Sequence, residues 1–412
     1  MCGVCGTYHY GTARVASAPQ RVLILVENLP VPFDRRVWME ARTLTSAGYG
    51  VSIICPQGDY ATQFEEIEGI TIYRYRLPSL SGVAGHLLEY AWAVAATFLL
   101  TCRVLHRQGF SVIQSANPPD LFFLIGRVFK LCGKKFVFDH HDLAPEICDS
   151  RWTGSTRAVL RRVCLWMERA TFRTADRVIA TNESYREVAL TRGGVARERV
   201  AVVRSAPSLT EFCSVRPRAA MKQGRPFLVA YLGVMGPNDG LSCLLESIRH
   251  IVHVLGRRDI QFTLIGDGDL RPALMAETRR LRLEGAVTFT GRLPDTDVIA
   301  LLSTAEVCVV PDPKDALNDL SSMNKVVEYM ALGRPLVAFD LKETRASAAD
   351  AALYARPNDP IDFAQKIIEL LAAPERRERM GSHARLRFVS TLAWEHQASV
   401  LISLYRDLIG NP

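Results

Sequence analysis

Short aliphatic runs, each followed by a loop and a helical stretch, recur along the chain and constrain its fold more than any other feature. Val22 to Val26 is five apolar residues in succession. That is the pattern of a strand covered on both faces, as in a parallel sheet. A loop follows over residues 28–36, then Val37, Glu40, Ala41 and Leu44 on one helical face, then Gly48 and Gly50, then a second run over residues 51–55. This is a β–loop–α–β unit. Parallel strands need a crossover that packs back onto the sheet, so the unit commits the chain to an α/β, doubly wound architecture.

Further runs at residues 70–75, 110–114, 136–138, 177–180 and 200–204 extend the first sheet. A second set lies at 227–232, 262–265, 287–293, 305–311 and 336–339. Between them residues 206–224 are loop-like and carry prolines, the composition of a linker. At 412 residues the chain is too long for one core and suits two domains of about 200 residues each. Hydrophobic content of 48% and charged content of 23% are those of a globular protein.

Ten cysteines, mostly inside apolar runs such as those of Cys55, Cys132, Cys164 and Cys308, point to buried thiols in a reducing cytoplasm. Cys2 and Cys5 form a single C-x-x-C with no second pair, which does not make a zinc site. Residues 1–19 lack the basic start and apolar core of a signal peptide. Their opening, MCGVCGTYHYG, resembles the start of class II glutamine amidotransferases, whose nucleophile is the cysteine after Met1. Without the domain that follows in those enzymes, Cys2 has no oxyanion hole. The segment is expected to be a disordered leader.

The loop after the first strand lies at the carboxyl edge of the sheet, where ligands bind in such folds. It holds no G-x-G-x-x-G, so a dinucleotide is not expected there. Asp34, Arg35 and Arg36 either face the cleft or form a helix cap with two surface arginines. A later strand ends in Asp139-His140-His141-Asp142, with Glu146 beyond. Adjacent histidines in a strand point to opposite faces, so His140 and His141 are not expected to share a metal ion. A cleft histidine oriented by a carboxylate is the expectation.

Two stretches of this half bear on membranes. Residues 87–105 are the most apolar in the chain, and suit a buried helix, a membrane span of about 20 residues or a helix on a membrane surface. Between residues 151 and 177 seven arginines face two carboxylates, a local excess of +5 within a mild net charge of +7. Solvated arginines are one reading and attraction to an anionic lipid surface the other. Nucleic acid is not expected, because no aromatic–basic platform accompanies the charge.

In the second half, Gly233, Met235 and Gly236 follow one strand and Gly266 and Gly268 another. Residues 311–318 then read as a polar turn, and 321–339 as a helix with Val326, Val327, Met330 and Ala331 at helical spacing, a stop at Gly333 and Pro335, and a strand over 336–339. Ser321, Ser322 and Asn324 precede or open that helix, with Lys325 in its first turn. Free N–H groups and the helix dipole there favour an anion, and a lysine beside them suits a diphosphate. Glu328 lies one turn on. The bland alternative is that Lys325 and Glu328 are an ordinary (i, i+3) pair.

The stretch NKVVEYMALGRPLV, residues 324–337, resembles the nucleotide-sugar signature of the family 4 glycosyltransferases, retaining enzymes of the GT-B fold. The likeness runs from about residue 21 to 408, is strongest over 287–345, and points to the type that builds bacterial polysaccharides. It implies two Rossmann-like domains facing a central cleft. Residues 20–205 would take the acceptor and 225–390 the nucleotide sugar, with a helix over 391–412 crossing back to the first domain. It also implies that Glu328 holds the donor ribose, that backbone near Gly291, Arg292 and Leu293 holds the base, and that His141 contacts the transferred sugar. Glu146 would lie in the adjoining acceptor-side loop.

Two departures stand out. The family's other glutamate, eight positions before Glu328, is Leu320 here, leaving Asp319, Ser321 or Ser322 to take its contact with the sugar. The family's arginine and lysine after the first strand of the donor domain are absent, where this chain has Val234, Asn238 and Asp239. More of the diphosphate charge would then fall on Lys325 and Arg204. The expected function is retaining, metal-independent hexosyl transfer from a nucleotide-diphosphate sugar, with no cofactor, to a lipid-linked or saccharide acceptor in exopolysaccharide or glycolipid synthesis. The protein would be cytoplasmic, peripheral on the inner face of the membrane. A sugar-nucleotide 2-epimerase of the same fold and a non-catalytic sugar- or lipid-binding protein are the alternatives.

Overall fold

The computed structural model describes residues 20–78, 82–151 and 154–412. The expected leader, residues 1–19, lies outside them. The first domain is built on an eight-stranded sheet. In chain order it runs β1 (Arg21–Leu25), α1 (Arg35–Ser46), β2 (Gly50–Pro56), β3 (Phe64–Ile67), β4 (Ile70–Tyr75) and α2 (Gly82–Arg107). Then come β5 (Val112–Ala116), α3 (Phe123–Leu131), β6 (Lys135–His140), α4 (Ala144–Arg151), α5 (Gly154–Thr174), β7 (Arg177–Ala180), α6 (Glu183–Thr191) and β8 (Val200–Val202). The strand order is β3-β4-β2-β1-β5-β6-β7-β8, parallel except for β3. Leu23 pairs with Ser52 on one side and Ile113 on the other.

The second domain carries β9 (Phe227–Leu232), α7 (Leu241–Arg249), β10 (Ile260–Ile265), α8 (Arg271–Arg280), β11 (Val287–Gly291), α9 (Asp295–Thr304) and β12 (Val307–Val310). It continues with α10 (Asn324–Ala331), β13 (Leu336–Phe339), α11 (Lys342–Ala348), β14 (Ala352–Ala355), α12 (Pro360–Leu371) and α13 (Pro374–Arg387). Its parallel sheet has the order β11-β10-β9-β12-β13-β14. Each sheet is covered on both faces. In the first, α2, α3, α5 and α6 bury one face and α1 the other.

The last helix, α14 (Trp394–Ile409), returns to the first domain. Trp394, Leu401, Leu404 and Tyr405 pack with Val37, Ala41 and Leu44 of α1. Trp394 Nε1 donates to Thr43 Oγ1 at 2.8 Å. Burying large apolar side chains contributes about 1.5–3 kcal/mol each, enough to hold α14 on α1.

Several boundaries differ from the sequence reading. The arginine-rich 151–177 stretch falls on two helices, with α4 ending at Arg151 and α5 beginning at Gly154, a glycine at φ +67°. The helix expected over 391–412 is α14, which starts only at Trp394 because the extended backbone of Ala393 (ψ 151°) separates it from α13 and its π-turn. Strand β3 was not foreseen. It is an edge strand with exposed alternate residues, closed onto β4 by Glu68 and Gly69, both at positive φ.

Strand order reverses between β1 and β5 in the first sheet and between β9 and β12 in the second. Crevices at the carboxyl ends of such strands are where ligands bind. The loops after β1, β5, β6, β9 and β12 therefore frame the site.

Candidate functional site between the two domains

Asp34 ends the loop after β1 and caps α1, its Oδ1 accepting from Val37 N at 3.1 Å. It is buried and serves the helix, as the capping alternative has it. The next two residues occupy the first turn, rotated by about 100° from each other. Adjacent arginines therefore reach in different directions. Arg35 extends across the cleft, ion-paired with Asp295 and 3.8 Å from Glu328 Oε1. Arg36 turns inward and is buried, neither a surface arginine nor a free cleft cation.

The Arg36 guanidinium grips Asp139 through two bonds of 3.1 and 2.7 Å. It also donates to Val203 O and Ser205 Oγ, each at 3.0 Å, and pairs with Glu40 at 3.1 Å. Asp139 in turn lies 3.1 Å from Nδ1 of His141. Asp139 lies near the end of β6 and His141 just beyond it, so the carboxylate two residues back meets the ring. Burial would raise the Asp139 carboxyl, but Arg36 and His141 outweigh it and hold it below the usual range. Burial would likewise lower the imidazole, yet Asp139 pushes it up to about 9. His141 is thus an imidazolium at neutral pH with Nδ1 committed, leaving Nε2 as its free donor.

Asn117, at the end of β5, fixes the backbone of this loop. Its Oδ1 accepts from His141 N and Asp142 N at 2.8 and 3.0 Å, and its Nδ2 donates to Asp142 O at 2.8 Å. His140 points the other way, fully buried among Phe138, Phe172 and Tyr185 and 3.7 Å from Glu168. Among the described residues no group of three or more His, Cys, Asp or Glu could hold a metal ion. Glu146 lies in the first turn of α4 rather than in a loop. Its carboxylate is held by Arg192 at 2.6 and 3.2 Å, and Arg192 also binds Glu168.

A cavity of about 330 Å³ opens between the domains, and Arg35, Arg36, Asp295, Asn324, Glu328 and Trp394 contribute to its wall. His141 is not among its lining residues; it connects to the cavity through Asp139 and Arg36. Burial raises the Glu328 carboxyl above its usual range, partly offset by Arg35. Arg292 stacks over Phe33 of the first domain at 4.4 Å, while Leu293 packs into the second core.

Lys325 differs from expectation. It is buried, and its Nζ lies 2.8 and 3.0 Å from the Asp312 carboxylate and 3.6 Å from Asp239. Its stem sits beneath Gly233, where a Cβ would meet Lys325 Cε at 3.1 Å. The ammonium is neutralised by two carboxylates under the loop rather than exposed beside the helix amides. The amides of α10 are uncapped by any side chain at Met323.

The glycines of this domain bring loops onto each other. Gly266 at φ +127° would drive a Cβ to 1.9 Å from Gly233 O, and Gly268 at φ +159° would meet the Met235 backbone. Met235 N donates to Asp267 O and Gly233 N to Ile265 O, both at 3.0 Å. Gly236 N donates to Asp239 Oδ2 at 3.1 Å. Where a basic residue was missed in the sequence, Asp239 instead ties the loop and pairs with Lys325. Gly291 is at φ +71° beside the Arg271 guanidinium.

The replacements considered for the missing glutamate are spent elsewhere. Leu320 packs against the core of the first domain. Ser321 Oγ is 2.9 Å from Tyr185 OH and Ser322 Oγ accepts from Asn182 Nδ2 at 3.0 Å. Asp319 accepts from Lys342 N at 2.8 Å. Arg204 reaches 3.8 Å from Glu343, which also accepts from Ser184 Oγ at 2.6 Å. Asn182, Ser184 and Tyr185 thus fasten the start of α6 to the second domain. Sequence reasoning missed them, although the Asn-Glu-Ser after β7 is itself a helix-start signal.

The comparisons agree with this architecture. Residues 34–206 match the family described as "Glycosyl transferase 4-like domain" and residues 226–373 the family "Glycosyl transferases group 1". Alpha-D-kanosaminyltransferase of Streptomyces kanamyceticus is 25% identical over 256 residues, 60% of this chain and 64% of that protein. The chain therefore spans less than two thirds of that relative. MMP alpha-(1->4)-mannosyltransferase of Mycolicibacterium hassiacum is 23% identical over 90% of this chain and 93% of its own. The structure of HepE from Anabaena, in complex with UDP-glucose, superposes with a TM-score of 0.67 at 15% identity, covering 94% of this chain and 99% of that one. Two parallel-sheet domains facing one cleft, with both domain families matched in order, place this chain among the family 4 glycosyltransferases of the GT-B fold.

Proposed function

We propose that this glycosyltransferase moves a hexosyl group from a nucleoside-diphosphate sugar to an acceptor hydroxyl with retention of configuration. The observation that carries the reading is Glu328: a carboxylate at the wall of the interdomain cavity, one helical turn from the uncapped start of α10. It would accept hydrogen bonds from the ribose hydroxyls. Backbone at Gly291 to Leu293 would hold the base, and the first amides of α10 the diphosphate. Lys325 would hold the loop through its pairs with Asp312 and Asp239 and would place charge at the diphosphate only on leaving them. The His141 imidazolium would donate from Nε2 to the transferred sugar, where preorganised charge counts most. HepE, of the same fold, was solved with UDP-glucose, which supports a donor of that class.

The acceptor is proposed to be a lipid-linked or surface saccharide lying against the first domain, and the reaction to need no metal ion or cofactor. Donor-panel assays with saccharide and lipid-linked acceptors test this. Nucleoside diphosphate should be released only with acceptor present, the product anomer should match the donor, and activity should survive EDTA. Conversion of the donor to its epimer without acceptor would favour the epimerase alternative. Loss of activity restored by magnesium would overturn metal independence.

A further inference from the structure

Eleven of the twenty-four large apolar side chains exposed among the described residues lie on α2, α3 and α5, helices that hold only 56 of the 412 residues. The helices cover the same face of the first sheet and touch one another. Phe98 of α2 meets Phe129 of α3, and Phe123 of α3 meets Trp166 of α5. Helix α2 is inverted for a water-facing element. Among its described residues Ala93, Thr97, Thr101 and Val104 are fully buried, while Leu88, Trp92 and Leu99 face outward, Leu99 at 69% exposure. Only 22% of its most apolar stretch is buried. Leu131 on α3 is 90% exposed, and Val163 and Trp166 on α5 continue the surface.

Charge accompanies this face. The three helices carry nine Arg and Lys against Glu89 and Glu168, and Glu168 is buried. Arg157 and Arg161 both pair with Asp149, at 2.9 and 2.8 Å. Arg162, Arg169 and Arg173 are exposed and have no carboxylate partner among the described residues. An apolar surface rimmed by unpaired arginines is complementary to a bilayer with anionic headgroups, which takes the apolar groups at the acyl boundary and the guanidinium groups at the phosphates. Water or a polar partner would leave the leucines and Trp92 unsatisfied.

Helix α2 is long and apolar enough to cross a membrane by length and composition. Topology argues against a crossing: α2 joins β4 to β5, parallel strands of one sheet. A span would put their ends on opposite sides of the bilayer. We infer that α2, α3 and α5 form a docking face that lies flat on an anionic phospholipid surface. Helix α2 starts from the carboxyl edge of β4, so its apolar first half stands beside the cleft. Delivery of a lipid-linked acceptor there rests on the transferase reading above; the docking does not.

Flotation of the full chain with vesicles of phosphatidylglycerol and phosphatidylethanolamine tests it. Binding is expected at low salt, is expected to fail with phosphatidylcholine alone, and should be lost at about 1 M salt, where the Debye length is about 3 Å. Arg162→Glu with Arg169→Glu and Arg173→Glu should lower partitioning at least about tenfold. Leu99→Glu with Trp166→Glu should do the same. All five positions are exposed, so folding is retained, and nucleotide-sugar stabilisation of the same samples is a separate readout. Absence of flotation in a protein that still binds nucleotide sugar would overturn the docking face alone. A stable dimer whose interface these substitutions break would assign the face to a second copy and overturn it too, as would salt-resistant attachment.

Discussion

The Glu328 carboxylate of the second domain lies 3.8 Å from the guanidinium of Arg35 in the first. Arg35 also pairs with Asp295, so one residue at the start of α1 closes the cleft over the position where a donor ribose would bind. A ligand that takes Glu328 must displace it. The neighbouring Arg36 faces the opposite way and anchors Asp139 and, through it, His141. The first turn of α1 thereby links both halves of the site.

Arg35 and Asp295 are largely exposed, 66% and 60% at their side chains. Arg35→Ala is expected to change unfolding stability by no more than about 1 kcal/mol, as for other solvent-screened pairs. It should tighten donor binding, by up to roughly tenfold, because no guanidinium competes for Glu328. Titration calorimetry on both proteins decides it. Weaker donor binding would show that Arg35 itself contacts the donor.

Lys325 behaves differently because it is buried between Asp312 and Asp239. Removing one partner of a buried pair leaves an uncompensated charge and costs about 3–5 kcal/mol. Lys325→Met should lower the urea midpoint accordingly, and Lys325→Met with Asp312→Leu should recover much of it. If the double variant regains stability and full turnover, Lys325 serves only to hold the loop. Recovered stability with turnover still depressed about a hundredfold or more would show its charge acting on the diphosphate.

The architecture was legible because apolar runs of parallel strands and their intervening helices follow simple periodicities. Val22 to Val26 and the Val51 run sit side by side in the sheet, as the β–loop–α–β pattern implies. The turn into α10 and its stop at Gly333, at φ +64°, were equally plain. Partners across the cleft were not legible. Nothing local to Glu343 announces that Ser184 and Arg204 converge on it from more than a hundred residues away. Nor does the chemistry of Lys325 reveal that Asp312 and Asp239 would neutralise it. Leu320 is a substitution in a polar motif that makes physical sense only once the apolar wall of the first domain is seen against it.

His141 gives a pH signature. Its folded value lies near 9, above the ordinary 6.5, because Asp139 stabilises the imidazolium. The protonated pair therefore stabilises the fold fully below pH 6.5, and that contribution is lost as pH rises through about 9. It is worth at most about 3–4 kcal/mol. Urea midpoints between pH 6 and about 9.5 should fall more for the wild type than for His141→Gln. Parallel curves would remove the Asp139–His141 pair from the account. The same variant should lower turnover and leave affinity for the bare nucleoside diphosphate unchanged, since that ligand binds the other domain.

The central claim is that Glu328 holds a nucleotide-sugar donor at the domain boundary. Thermal-shift screening of nucleoside-diphosphate sugars against the wild type and Glu328→Ala tests it most directly, because a ligand bound only by the folded protein raises its apparent stability. One donor should stabilise the wild type in a concentration-dependent way. Glu328→Ala should fold normally and bind that donor about ten- to a hundredfold more weakly, the loss of hydrogen bonds to a charged group. Equal stabilisation of both proteins by the same donor would contradict the account.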